Sequence, residues 1–133
     1  MAIIGSIPVL NCLSIKQTLS FYHQLLQFVI VNKREKGDEM KWVHLMHADT
    51  SLMLQSQDGP NTDPLHAQPS KIKLYFYVNN INELHHYIKA KYNDVSELVD
   101  TDYNMREFWL TDPEGNMVVL GQQNAASDPG RSL

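Results

Sequence analysis

The side chains with the widest chemical reach in this chain are six histidines, one cysteine and a scatter of Tyr, Lys and Glu. Histidine and cysteine supply most transition-metal ligands and many acid–base and nucleophilic groups, so their spacing matters first. His44 and His47 are three apart on a strand or its following turn, hence on opposite faces, and His85 and His86 are adjacent on a helix, where neighbours diverge. His23 falls in a helix and His66 in a turn-rich segment. No pair converges, and all six read as surface or packing residues. Cys12, with no assigned His or acid partner, reads as a core residue before a nucleophile. No Gly-rich phosphate loop, nucleophile elbow or paired-cysteine motif occurs.

The remaining candidates become visible through strand alternation, which separates the two faces of a sheet. In the run Ile7 to Leu13, Pro8, Leu10 and Cys12 share one face and Ile7, Val9 and Asn11 the other. In Lys73 to Asn79 the same parity sets Leu74, Phe76 and Val78 against Lys73, Tyr75 and Tyr77. The first set is uniformly apolar and suits packing beneath a helix. The second mixes apolar bodies with Asn11, Lys73 and two tyrosine hydroxyls, as a ligand-lined concavity does. Further on, Glu107, Trp109 and Thr111 share a parity opposite to Arg106 and Phe108, which suit packing or an ion pair. Trp109 is open to two readings, a binding aromatic or a large residue filling a sheet face. Lys73 is expected either to neutralise Glu107 or to meet an anionic ligand group.

The elements that must position these residues occur twice, at an offset read as 66 residues with no gap. Ser14-Ile15-Lys16-Gln17 is a capping box, and Asn80-Ile81-Asn82-Glu83 is its counterpart. Ile15, Thr18, Tyr22 and Leu26 match Ile81, Leu84, Ile88 and Tyr92 as one buried helical face. Trp42-Val43-His44-Leu45 aligns with Phe108-Trp109-Leu110-Thr111, and Leu52-Met53-Leu54 with Val118-Val119-Leu120. The first module reads as strand 7–13, helix 15–26, strand 28–31, a charged break at 33–39, strand 41–46, a turn at 47–50 and strand 51–55. Asp112-Pro113-Glu114-Gly115-Asn116 is the last hairpin turn. The fold class is therefore α+β, two tandem βαβββ modules at about 5–56 and 71–122. A turn-rich linker, 57–70, joins them, and residues 123–133 form a flexible tail to a single domain, 1–122. A site between modules is expected.

Composition narrows the function. Eleven Lys plus Arg against 15 Asp plus Glu give a formal charge of −4, which argues against a nucleic-acid partner and tolerates a cationic ligand. One cysteine cannot form an intramolecular disulfide, and Gly5-Ser6 and Pro8 interrupt the apolar start, so no secretory leader is expected. No apolar run approaches the roughly 20 residues that span a bilayer. A cytoplasmic protein with no membrane partner is the expectation.

Several segments together resemble the vicinal oxygen chelate superfamily, and within it the bleomycin-resistance proteins. They are Pro8-Val9-Leu10 leading to Thr18-Leu19-Ser20-Phe21-Tyr22, then Tyr77-Val78-Asn79-Asn80-Ile81-Asn82-Glu83-Leu84, Met105-Arg106-Glu107-Phe108 and Asp112-Pro113-Glu114-Gly115-Asn116. The resemblance implies the glyoxalase/bleomycin-resistance fold, an open, incomplete barrel-like sheet. The superfamily's enzymes, such as glyoxalase I, extradiol dioxygenases and fosfomycin-modifying transferases, hold a divalent metal on residues of the first and last strands of each module. Those positions here are Ile7, Met53, Lys73 and Val119, and none is an ordinary hard-metal donor. No metal and no cofactor is expected. In bleomycin-resistance proteins an aromatic that stacks on the drug precedes the Arg-Glu-Phe segment. Tyr103 stands there, followed by Asn104 where glycine is common.

The resemblance thus implies a non-catalytic protein that sequesters a planar, partly cationic small molecule in the cleft of a homodimer, an antibiotic-resistance role. The implied ligand-binding set is Asn11, Lys73, Tyr75, Tyr77, Tyr103, Glu107 and Trp109, with no catalytic residue. The alternative is a metal-independent enzyme of the superfamily, a lyase, isomerase or transferase, with Lys73, Glu107 and Tyr75 as its acid–base groups.

Overall fold

The computed structural model describes residues 2–57 and 71–124. The linker expected at 57–70 falls outside them from residue 58 onward, and the expected tail does so from 125 onward. The chain divides into two units, Met1–Lys71 and Ile72–Leu133. Unit 1 contains β1 (Val9–Cys12), α1 (Ile15–Gln24), β2 (Val29–Lys36), β3 (Glu39–His47) and β4 (Thr50–Ser56). Unit 2 contains β5 (Lys73–Tyr77), α2 (Ile81–Lys91), β6 (Val99–Asp100), β7 (Met105–Thr111) and β8 (Met117–Gln123). Each unit is a βαβββ module whose four strands form one open sheet, ordered β1-β4-β3-β2 and β5-β8-β7-β6. The first and last strands of each pair in parallel, and the remaining pairs are antiparallel. Among the described residues no helix is long and apolar enough to cross a membrane.

Alternation builds both cores. Leu10 and Cys12, Val43 and Leu45, and Leu52 and Leu54 point into unit 1 and are almost fully buried. Leu74, Phe108, Leu110, Val118 and Leu120 do the same in unit 2. Cys12 is a core residue as expected, its thiol donating to the Leu10 carbonyl at 3.6 Å.

Helix α1 starts on Ser14, whose side chain accepts from the Gln17 amide. It stops two residues earlier than the expected 26. Gln27 adopts a left-handed φ of 62°, and the Phe28 amide bonds back to the Tyr22 carbonyl. Helix α2 departs further from expectation. Asn80 is itself left-handed, at φ 58°, and makes no side-chain cap bond. Instead Gln122, at the end of β8, accepts from the Ile81 amide at 2.8 Å, satisfying a helix-terminal donor from 41 residues away. The buried face of α2 is Ile81, His85 and Ile88. His85 takes the place foreseen for Leu84, packing edge-on to Phe108 and bonding the Ser96 carbonyl at 2.8 Å. It is a packing histidine with its polar atom satisfied.

Two corrections bear on function. The charged segment 33–39 does not break the sheet. Strand β2 runs through it to Lys36 and turns back at Gly37-Asp38, with Gly37 at φ 63° as a primed hairpin turn requires. The repeat also slips by one residue in its third strand. Met53 lies opposite Val9 and His44, whereas Val119 lies opposite Tyr75 and Trp109. Thus β3 and β7 correspond at 65 residues, not 66, and Trp42 matches Glu107 rather than Phe108. Burial agrees, because Val43 and Phe108 are both fully buried, as are Leu45 and Leu110. The extra residue sits in the β7–β8 turn.

That turn is a polar staple. Asp112 Oδ1 accepts from the amides of Glu114 and Asn116, each at 2.9 Å, and Asp112 Oδ2 accepts from Asn116 Nδ2 at 3.0 Å. Asn116 Oδ1 in turn accepts from the Ile72 amide, which fixes the entry to β5. Both side chains are buried.

Candidate functional site

The face of unit 2 turned away from α2 carries most of the expected residues, in three rows set by strand register. Tyr77, Gly121 and Glu107 form one row, Tyr75, Val119 and Trp109 the next, and Lys73, Met117 and Thr111 the third. Glu107 is the most enclosed, only 6% exposed. Its Oε2 accepts from the Tyr75 hydroxyl at 2.7 Å and the Tyr103 hydroxyl at 2.8 Å. A carboxylate taken out of water needs such donors. Two hydroxyls on one oxygen fix its orientation from two sides.

Tyr75 reaches Glu107 diagonally, across the strand between them, and only a glycine there permits it. A β-carbon at position 121 would lie 2.0 Å from the Tyr75 hydroxyl oxygen. Gly121 is thus a site residue that the sequence reading missed. The available signal was a glycine inside an otherwise apolar strand, where close approach by another group is the usual reason.

Tyr103 is delivered by the tight β6–β7 connection. Thr101 Oγ1 both donates to the Met105 carbonyl and accepts from the Met105 amide, each at 3.0 Å. Asn104 takes the left-handed conformation, φ 68°. Glycine suits that position for the same reason, and asparagine tolerates it better than most residues, so this departure from the family pattern preserves the loop.

The surroundings tune the hydroxyls. Loss of water contact, then the hydrogen bond to Glu107 and its charge, push Tyr75 well above the ordinary tyrosine range, and Tyr103 and Tyr77 add to the effect. Tyr103 is also raised, chiefly by its hydrogen bond to Glu107. Both are therefore donors at neutral pH and poor bases.

Of the remaining expected residues, Tyr77 is exposed, with its ring centroid 5.2 Å from that of Tyr75. Trp109 is 38% exposed in the row beside Glu107. Lys73 is exposed but four residues along β5 from the Glu107 row, a separation of about 13 Å at strand rise. The foreseen Lys73–Glu107 ion pair is therefore replaced by the tyrosine pair. Asn11 belongs to unit 1, where its Oδ1 accepts from Gln55 Nε2 at 3.5 Å. Arg106 and Phe108 face the other way as expected: Arg106 pairs with Asp100 through two hydrogen bonds, and Phe108 is core.

The residues at the superfamily's metal positions do not suit a metal. Ile7, Met53 and Val119 offer no hard donor, and an ammonium such as that of Lys73 has no lone pair to give. Among the described residues no three His, Cys, Asp or Glu side chains gather closely enough to hold an ion.

The paired modules, with the parallel closure of first and last strand in each, have the topology that the sequence motifs imply. The family model described as Glyoxalase/Bleomycin resistance protein/Dioxygenase superfamily matches residues 7–120. The chain belongs to this superfamily. No curated protein matches it in sequence. Similar solved structures include TioX from Micromonospora sp. ML1, 15% identical with a TM-score of 0.77, covering 90% of this chain and 99% of that one. The lactoylglutathione lyase of Agrobacterium tumefaciens is 18% identical with a TM-score of 0.70, over 89% and 92% of the two chains. A bleomycin resistance determinant encoded on the transposon Tn5 is 21% identical with a TM-score of 0.66, over 91% and 98%. At these identities the likeness is one of fold.

Proposed function

We propose that this glyoxalase-superfamily member binds and sequesters a planar, cationic small molecule without transforming it, as an antibiotic-binding protein of bleomycin-resistance type. The observation that carries the reading is the Glu107 carboxylate, held by Tyr75 and Tyr103 beside the exposed ring of Trp109. A flat ligand stacks on Trp109 and on the tyrosine rings, and its positive group meets Glu107. The structural likeness to a bleomycin resistance determinant supports this choice. The likeness to a lactoylglutathione lyase keeps an enzymatic reading in view. Weighing against that reading, Lys73 stands several residues from Glu107 along the sheet, apart from the hydrogen-bonded pair of Tyr75 and Glu107.

Bleomycin is the first compound to titrate, against the fluorescence of a Trp42→Phe variant in which Trp109 is the remaining tryptophan. Saturable quenching that Glu107→Gln weakens supports the proposal, and no response to bleomycin or to other planar cations overturns it. We also propose a homodimer, which the exposed apolar run Val29, Ile30 and Val31 on the edge strand β2 favours. A light-scattering mass near that of one 15.3 kDa chain at micromolar concentration contradicts it.

A further inference from the structure

Helix α2 reaches the edge of the unit 2 sheet through His85, and the carbonyl it holds, that of Ser96, is out of its regular place. Val95 lies opposite Leu110, and the Ser96 amide donates to the Trp109 carbonyl at 2.9 Å. In β6, Val99 lies opposite Glu107. Glu97 and Leu98 therefore share the single place opposite Phe108. That is a β-bulge in the sheet edge, set between the Trp109 and Glu107 rows.

A regular antiparallel pair exchanges both of its bonds, so the Trp109 amide would donate to the Ser96 carbonyl. It donates instead to Ser96 Oγ, at 2.8 Å. The displaced carbonyl accepts from His85 Nε2, also at 2.8 Å. Ser96 Oγ then donates onward to the Glu97 carbonyl at 3.0 Å. A hydroxyl thus stands in the ladder where a main-chain acceptor belongs, and an imidazole satisfies the acceptor that was replaced. His85 is steadied by Phe108, whose ring meets it edge-on with centroids 4.8 Å apart. Lys89, one turn further along α2, pairs with Glu97 in the bulge itself. Phe108 and Trp109 are consecutive on β7 and face opposite sides, so these contacts act on Trp109 from behind.

We infer that His85 is a positioning residue for Trp109: it holds the Ser96 carbonyl out of the ladder and so keeps the bulge, and with it the tryptophan, in place. A partly buried carbonyl deprived of its donor regains one by turning back to the Trp109 amide, which displaces Ser96 Oγ and shifts the bulge. The consequence for a ligand rests on the reading of unit 2 as a stacking site. The backbone arrangement does not.

The test uses the isotopically labelled full chain, in which nitrogen–carbonyl couplings across hydrogen bonds identify donor and acceptor directly. The parent is expected to show His85 as the Nε2–H tautomer, a coupling from the Ser96 amide to the Trp109 carbonyl, and none from the Trp109 amide to the Ser96 carbonyl. In His85→Leu that last coupling is expected to appear. His85→Gln, whose side-chain amide donates from nearly the place of Nε2, is expected to keep it absent. In the same samples N-methylquinolinium, followed at the Trp109 indole N–H, is expected to bind ~5-fold or more weakly in His85→Leu and within ~2-fold of the parent in His85→Gln. An Nδ1–H tautomer or a Trp109-to-Ser96 coupling in the parent overturns the inference, and neither observation needs a variant. So does a His85→Leu spectrum without the new coupling, a His85→Gln that behaves as His85→Leu, or equal cation binding by the parent and His85→Leu. A parent that binds no cation at Trp109 overturns the stacking reading instead, and the couplings still decide the role of His85.

Discussion

Where unit 2 sets Glu107, unit 1 sets Trp42. Where unit 2 has Gly121, Tyr77, Tyr75 and Trp109, unit 1 has Gln55, Asn11, Val9 and His44. On the opposite face the two modules hardly differ: Val43 and Phe108, Leu45 and Leu110, Leu52 and Val118, and Leu54 and Leu120 are matched and almost fully buried. Packing beneath a helix demands apolar volume and admits few solutions. The outward face carries no such demand, so one unit has become acidic and tyrosine-rich while the other sets an arginine opposite a tryptophan. A duplicated scaffold thus presents two different chemistries on one backbone path.

That comparison can be broken most forcefully at the hairpin turns. Asp112→Ala strips acceptors from two backbone amides and from the buried Asn116 side chain. A loss of about 3 kcal/mol is expected in urea unfolding. Asp49→Ala, in the exposed turn of unit 1, should change stability by less than about 0.5 kcal/mol. Equal effects would mean that the staple does not distinguish the units.

A smaller effect is expected at the matched pair Gly121 and Gln55. Gly121→Ala forces Tyr75 off Glu107 and should cost about 2 kcal/mol. Gln55→Ala should cost under about 1 kcal/mol, because it loses one long hydrogen bond. If Gly121→Ala unfolds at the parent's midpoint, Tyr75 does not cross the strand at that glycine.

The subtlest difference lies in tyrosine ionisation. Tyr75 and Tyr103 titrate above the ordinary value of 10.0 in the folded protein. Folding therefore holds protons that the unfolded chain releases first. The associated stability is complete below pH 10 and is lost as the pH rises through the folded values. Ultraviolet absorbance should show late-ionising tyrosines, one fewer in Tyr75→Phe. Glu107→Gln should bring the remaining shifts down, and a titration unchanged by Glu107→Gln would separate the tyrosines from that carboxylate.

Much of this was legible in the sequence, and the exceptions have physical causes. The two modules, their core parity and the Asp112–Asn116 turn are local or periodic properties, and the chain displays them directly. The one-residue slip between β3 and β7 was hidden because matching Trp42 to Phe108 pairs aromatic with aromatic. Alternation around Val43 and Leu45 gives the correct offset. The cap on α2 comes from Gln122, 41 residues away, and no local signal announces it. The set Asn11, Lys73, Tyr75, Tyr77, Tyr103, Glu107 and Trp109 was named from parity and resemblance. Parity alone does not say which donors reach Glu107, since Lys73 and Tyr75 share a face and only register separates them. The continuity of β2 through 33–36 was hidden because a charged run reads as a break.

The account turns on Glu107 as the anionic anchor of a stacking site on unit 2. Its most direct test is the Trp109 indole N–H signal during titration with N-methylquinolinium, in the parent and in Glu107→Gln. A saturable shift of Trp109 in the parent, weakened ~10-fold or more by Glu107→Gln with Trp42 unmoved, is the predicted result. A Trp109 signal that ignores the cation, or binding that Glu107→Gln leaves intact, would contradict the account.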